Sequence, residues 1–293
     1  MVDWILEIID SAGQMAAVEE LQRLTWTGDE TEIVPAHMLV AAVHNGGLLI
    51  GAREPATRAL VGFVFGFVGL YAIPDEPRPK HCSHMLAVHP DFQGRGLGFA
   101  LKRAQWQMVR HQGLDRITWT YDPLLSRNAH LNIAKLGAVC NTYRRDVYGE
   151  MRDGLNAGLP SDRFEVDWWV NTKRVERRLS RKARRPLDLA HFLGAGAEII
   201  NPSGSTQAGW PDPPSGQVEL EAASRGALLL LEIPADFLAL KRDDPDLALD
   251  WRLHARALFE DLFARGYLVT DFAHLPGKHP RSFYVLSHGE STF

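Results

Sequence analysis

The chain has 293 residues, 45% of them hydrophobic and 23% charged, a balance that excludes the disordered, collagen-like and coiled-coil classes. With 32 Lys and Arg against 36 Asp and Glu the net charge is -4, so no overall field draws the protein to nucleic acid or anionic lipid. Cys82 and Cys140 are the only cysteines and form no CxxC pair, which argues against a disulfide framework and a cysteine zinc site. No HxxxH or HExxH spacing points to another metal, so none is expected.

The start, MVDWILEIID, holds acidic Asp3 and Glu7 and lacks the basic n-region of a signal peptide. The longest apolar run, 59–73, contains Gly62, Gly66 and Gly69 and falls short of the ~20 residues that a membrane helix needs. A cytoplasmic chain with no membrane contact is expected.

A strand over 4–8 leads to a helix announced by Asp10 and Ser11, both good N-caps. A second helix starts at Pro35, a favoured first position. Strands over 48–53 and 59–71 follow, and PDEPRPK, 74–80, reads as a proline-rich loop. A strand over 81–88 then runs through HPDFQGRGLG into a helix whose Leu97, Ala100, Leu101, Ala104 and Met108 recur at helical spacing. Gly113 stops it. A strand over 116–121, a helix from about Ser126 to Leu136 and a strand through Tyr143 complete the order β-α-α-β-β-β-α-β-α-β. That order predicts the α/β class: a mixed sheet with helices on both faces.

Beyond it, KRVERRLSRKARR reads as a solvated linker or as a basic arm for phosphate or nucleic acid. Without an aromatic residue in the run, base stacking is not suggested. The tail reads strand (227–233), helix from Pro245 closed by Gly266, and strands at 268–272 and 282–286. Three regions are expected: 1–172, a basic linker at 173–190, and a smaller C-terminal α/β region at 191–293.

Chemistry concentrates in HMLAVHPDFQGRGLGFALKRAQ. Gly94, Gly96 and Gly98 stand at a strand-to-helix junction, where residues without Cβ let backbone amides converge on an anion at a helix N-terminus. The GxGxxG fingerprint begun at Gly94 and Gly96 fails at Phe99, and no Gly-Lys-Ser/Thr follows for a Walker loop. A pyrophosphate cradle and a plain structural turn both remain.

Gln93, Gly94, Arg95, Gly96, Leu97 and Gly98 match the (Arg/Gln)-x-x-Gly-x-(Gly/Ala) motif, and through it the chain resembles the GNAT superfamily of N-acetyltransferases. LAVHPDF resembles that family's lead-in, and Asn128, Ala129, Lys135, Leu136, Gly137 and Ala138 its later signature. WTYDPLLSRNAHLNIAKLGA, YGEMRDGLNAGLPSDRFEVDWW, EIPADF and WRLHAR resemble a bacterial subgroup of about this length. The resemblance implies a GNAT fold with splayed central strands, acetyl-CoA or another acyl-CoA as cofactor, and acetyl or succinyl transfer to a small-molecule amine such as an amino acid. It also implies that backbone groups of Leu86, Ala87 and Val88 receive the pantetheine arm and that residues 93–99 hold the diphosphate, with Ser126 or Asn128 at a further coenzyme contact. The C-terminal region reads as a degenerate GNAT-like lobe that covers the sheet or makes a homodimer contact.

For the acceptor's proton, strand alternation puts His84 on one face with Leu86 and Cys82, and an imidazole of ordinary pKa ~6.5 suits a base near neutrality. A histidine satisfied by packing is the plain alternative. Asp122, before Pro123, either orients the ammonium or forms a turn. The family's acid tyrosine falls at Ile133 here, so Tyr121 or Tyr143 substitutes, or the thiolate leaves unaided. The polar loop 149–163 offers Arg152 or Arg163 for a carboxylate. Two further functions compete: a non-catalytic acyl-CoA-binding module, and acylation of protein or tRNA through the basic run.

Overall fold

Ser11 ends β1 (Ile5–Ile8) and opens α1 (Ala12–Thr25) through a reciprocal capping box with Gln14. The computed structural model describes residues 4–26, 30, 33–71, 76–149, 158–180, 187–215 and 228–288, so Arg152 lies outside the described residues. α1 buries Met15, Val18 and Leu21, and α2 (Ala36–His44), capped by Pro35, buries Leu39. Both pack with Ile9, Leu49, Phe63, Phe65, Met85 and Ala87 in one apolar core. Apart from Ile9, which follows β1, those side chains belong to one face of β2 (Leu48–Arg53), β3 (Leu60–Tyr71) and β4 (Arg78–Val88).

The opposite face carries Ile50, Ala52, Val61 and Val64, and α3 (Leu97–His111) covers it with Leu97 and Leu101. Helices thus lie on both faces, as the element order predicts. The strands run β1-β2-β3-β4-β5, with β5 at Arg116–Tyr121. All neighbours are antiparallel except β4 and β5, which are parallel. The loop expected at 74–80 is shorter, because Arg78, Pro79 and Lys80 pair with Tyr71, Leu70 and Gly69. Pro79 is tolerated because it stands near the strand's start, where a missing donor costs least.

Among the described residues the chain forms two units, one up to Trp119 together with Trp169–Asn171, the other holding the rest. The division falls within β5, not at the expected boundary near 172. The second unit contains α4 (Ser126–Ala129) with a π-helical turn at His130–Lys135, then β6 (Val139–Arg144), β7 (Arg163–Trp169) up to Trp168, and α5 (Lys173–Leu179). Next come α6 (Leu189–Gly194), the short strands β8 (Glu198–Ile199), β9 (Gly204–Ser205) and β10 (Pro211–Asp212), and β11 (Leu229–Ile233). Two helices, α7 (Phe237–Asp243) and α8 (Pro245–Ala264), precede β12 (Tyr267–Leu275) and β13 (Arg281–His288). Its strand order is β7-β6-β12-β13-β11-β8 around fully buried Phe164, Trp168, Trp251, Phe259, Phe272 and Tyr284.

The basic run is not a free cationic face throughout. Arg174 Nε donates to Gly137 O at 3.0 Å and Arg178 Nη2 to Asp271 Oδ2 at 2.6 Å, so α5 spends two of its cations inside the unit.

Candidate active site

The turn that opens α3 depends on glycine for its backbone. Gly94 and Gly96 have φ of +77° and +89°, and a Cβ built on either would meet no atom within 4 Å. L-residues avoid that conformation, and the open space above it leaves room for a ligand close to the main chain. The first helical bond runs from Ala100 N to Gly96 O at 3.0 Å, so the amides of Leu97, Gly98 and Phe99 precede the intrahelical ladder. The N-terminal dipole of a 15-residue helix adds to them. Gln93 is fixed by its Nε2 donating to Val88 O at 3.1 Å, and the Arg95 guanidinium lies 5.2 Å from the Phe92 ring centroid. The turn thus presents free amides at the positive end of a helix, the chemistry that an anion requires.

Beside it, β4 and β5 part. Their pairing consists of His81–Ile117 and Cys82–Thr118, while β4 continues to Val88. Apart from Val88 O, which accepts from Gln93 Nε2, residues 83–88 therefore offer one line of backbone groups to an incoming extended chain, the geometry of strand addition. An acyl-CoA fits these two features together: its diphosphate suits the turn and the amides of its pantetheine arm suit the edge.

β4 carries a bulge that alternation alone does not reveal. Phe65 faces Met85 while Gly66 faces Ser83, which leaves His84 as the extra residue. The face assignment of His84 is corrected accordingly. Leu86 and Val88 pack on the α3 side, whereas Met85 and Ala87 belong to the core under α1 and α2. The His84 ring lies 6.2 Å from Phe65 and 5.9 Å from Phe67, centroid to centroid. It therefore shares a face with Cys82, which pairs with Phe67, and not with Leu86. His84 is solvent-exposed as a residue, yet partial desolvation holds its imidazole below the ordinary value. It is neutral near pH 7 and able to take a proton.

The remaining candidates belong to the second unit. Asp122 is buried, with its Oδ1 accepting from Leu124 N at 2.9 Å and its carboxylate gripped end-on by Arg252 at 2.9 and 2.5 Å. Tyr121 Oη is 3.1 Å from Tyr284 Oη, which donates to Pro123 O at 2.7 Å. Burial pushes the Tyr121 phenol well above its usual range. Tyr143 donates to Asp162 at 2.7 Å and is likewise raised by burial. Asp162 also binds Arg256 at 2.8 Å. Ser126 Oγ is 2.8 Å from Ser282 Oγ, and Asn128 is half-buried in α4. Arg163 is buried, donating to Asp162 O at 2.9 Å with its guanidinium 5.3 Å from the Tyr148 ring centroid. With Asp122, Ser161, Phe237, Lys241 and Arg252 it lines a small cleft. Arg252 and Arg256 come from the WRLHAR run, whose motif was visible but whose partners, far upstream in sequence, were not.

Residues 15–137 match the profile described as the Acetyltransferase (GNAT) family. No curated protein matches the chain. Among solved structures the chain is similar to the ribosomal-protein-S18-alanine N-acetyltransferase from Escherichia coli, at 15% identity over 57% of this chain and 94% of that one, with a TM-score of 0.42. It is similar to an IAA acetyltransferase from Bacillus cereus at 16% identity, 57% and 99% coverage and a TM-score of 0.41. A GNAT family N-acetyltransferase (YhbS) from Escherichia coli in complex with CoA shows 16% identity, 44% and 68% coverage and a TM-score of 0.36. Among the described residues no helix is long and apolar enough to cross a membrane.

Proposed function

We propose that this chain, whose residues 15–137 match the GNAT acetyltransferase family profile, moves an acyl group from coenzyme A to the amine of a small molecule such as an amino acid, by direct attack and without an acyl-enzyme. One observation carries the reading of the site: the glycine turn that opens α3 and the β4 edge left open past Cys82 stand in the same unit.

When bound, acyl-CoA supplies a thioester carbonyl that an amine can attack. In this reading the amides of residues 94–99 hold the diphosphate. Backbone groups of Leu86, Ala87 and Val88 pair with the pantetheine arm and donate to the carbonyl oxygen as negative charge builds on it. His84 accepts the proton of the incoming ammonium. The bulge sends its ring to the side of Phe65 and Phe67, so the amine approaches from that face in apolar surroundings that favour its neutral form. Holding donor and acceptor together supplies much of the rate. Asp122 and Tyr121, engaged with Arg252 and Tyr284, serve here as scaffolding, and the coenzyme thiolate leaves without a tyrosine acid.

The test is thiol release from acetyl-CoA and succinyl-CoA against a panel of amino acids, other small amines and peptide N-termini. Release with small amines is expected. Coenzyme binding without release across the whole panel would leave only a binding module, and release with peptides alone would move the acceptor to proteins.

A further inference from the structure

α3 buries a lysine. Lys102 is 2% exposed. Its Nζ donates to Ser83 Oγ at 2.8 Å and to Gln105 Oε1 at 3.1 Å, and it lies 3.7 Å from the centroid of the Trp119 ring. Ser83 Oγ also donates to Gln105 Oε1 at 3.0 Å, and Gln105 Nε2 reaches His81 Nε2 at 3.1 Å. A cation here is expensive, because burial removes its hydration. Leu or Met at the same place would continue the apolar stripe of the helix at lower cost.

The position of the contacts accounts for the expense. The last β4–β5 pair is Cys82–Thr118. Ser83 and Trp119 are the next residue on each strand, so one ammonium touches both arms of the fork at the point where they part. Parallel neighbours gain backbone hydrogen bonds by continuing to pair, and a group fastened between the first two unpaired residues opposes that closure. Ser83 also directly precedes His84, the bulged residue.

We propose that Lys102 is a positioning residue that wedges β4 from β5, through Ser83 on one arm and Trp119 on the other, and so keeps open the slot that receives the pantetheine arm. The inference rests on the acyl-CoA reading of that slot. Burial also brings the Lys102 ammonium down to about 7. The titratable group facing it from β4 is His81, held down to about 3 by burial and by Lys102 itself, while Cys82, on the strand's other face, acts on Lys102 electrostatically. The contacts from β5 and α3, Trp119 and Gln105, are uncharged.

The test compares coenzyme A with adenosine 3′-phosphate 5′-diphosphate, which keeps the diphosphate and lacks the pantetheine arm, by calorimetry on the intact protein. Lys102→Met keeps the length and removes the charge, and Ser83→Ala removes the tether to β4 alone. Lys102→Met is expected to weaken coenzyme A by about tenfold, the size of one buried charged hydrogen bond, and to leave binding of the arm-less nucleotide unchanged. Ser83→Ala should move the same ratio less. In the wild type the preference for coenzyme A should decline as pH rises through about 7, and in Lys102→Met it should be flat.

An undiminished preference in Lys102→Met overturns the wedge, as does an equal loss of both ligands, which marks general damage to the unit. A wild type that binds neither ligand overturns the acyl-CoA reading itself and the wedge with it.

Discussion

His84 shows how one inserted residue redirects a site. Strand alternation pairs it with Leu86, but the bulge turns it toward Phe65 and Phe67, and nothing in CSHMLAV signals the insertion. Partial desolvation sets its imidazole below the ordinary ~6.5. A base must be neutral, so activity should fall as pH drops through a value under 6.5. His84→Ala should lower kcat/KM by roughly 10²-fold, the lower range for general-base catalysis, and erase that acidic limb in a pH–rate profile. A second residue-scale case is Asp122, whose Arg252 partner is 130 positions away and so out of reach of local pattern. Asp122→Asn removes the charge that compensates a buried guanidinium and should cost about 3–5 kcal/mol, measured as a lowered Tm in thermal unfolding.

At the scale of elements, much was legible. Ser11, Pro35 and Gly113 mark helix ends through capping and left-handed geometry, and the glycine turn announces itself because only glycine takes those φ values easily. The glycines at 96 and 113 bracket α3, but its apolar spacing gives only part of its buried face. Its apolar spacing picks out Ala100, Ala104 and Met108, yet Lys102 and Gln105 are the fully buried members beside Leu97, Leu101 and Val109. Hydropathy assigns a lysine to solvent, and only the tertiary contacts to Ser83 and Trp119 override that. β7 escaped notice although Phe164, Val166 and Trp168 alternate strictly inward, a period of two hidden by the polar loop before it.

The buried lysine has a sign of its own in stability. Its folded pKa of about 7 lies below the ordinary lysine value of 10.5, so between those values the unfolded chain holds more proton and stability rises with pH. Denaturant titrations should show the wild type gaining on Lys102→Met across that window. Gly66 offers a second element-scale outcome. A Cβ there would meet His81 Nε2 at 2.2 Å and Cys82 O at 2.5 Å, so Gly66→Ala should disrupt the β3–β4 ladder beside the bulge and lower Tm.

For the whole molecule, the mixed α/β class was readable from element order, and the boundary was not. A composition change near 172 suggests a linker, but Arg174 and Arg178 bind Gly137 O and Asp271 within the second unit, and Arg252 and Arg256 bind Asp122 and Asp162 there. Such pairings across a hundred residues leave no trace in local composition. A fragment ending at 172 would strand the buried carboxylates of Asp122 and Asp162, so it should fail to give a cooperative unfolding transition.

The coenzyme's proposed seat is tested most directly by amide hydrogen exchange on the intact protein with and without coenzyme A. Slowed exchange confined chiefly to residues 83–88 and 94–99 is the expected result. Unchanged exchange in both segments at saturating ligand, or protection elsewhere alone, would contradict the placement of the diphosphate on the α3 turn and of the pantetheine arm along β4.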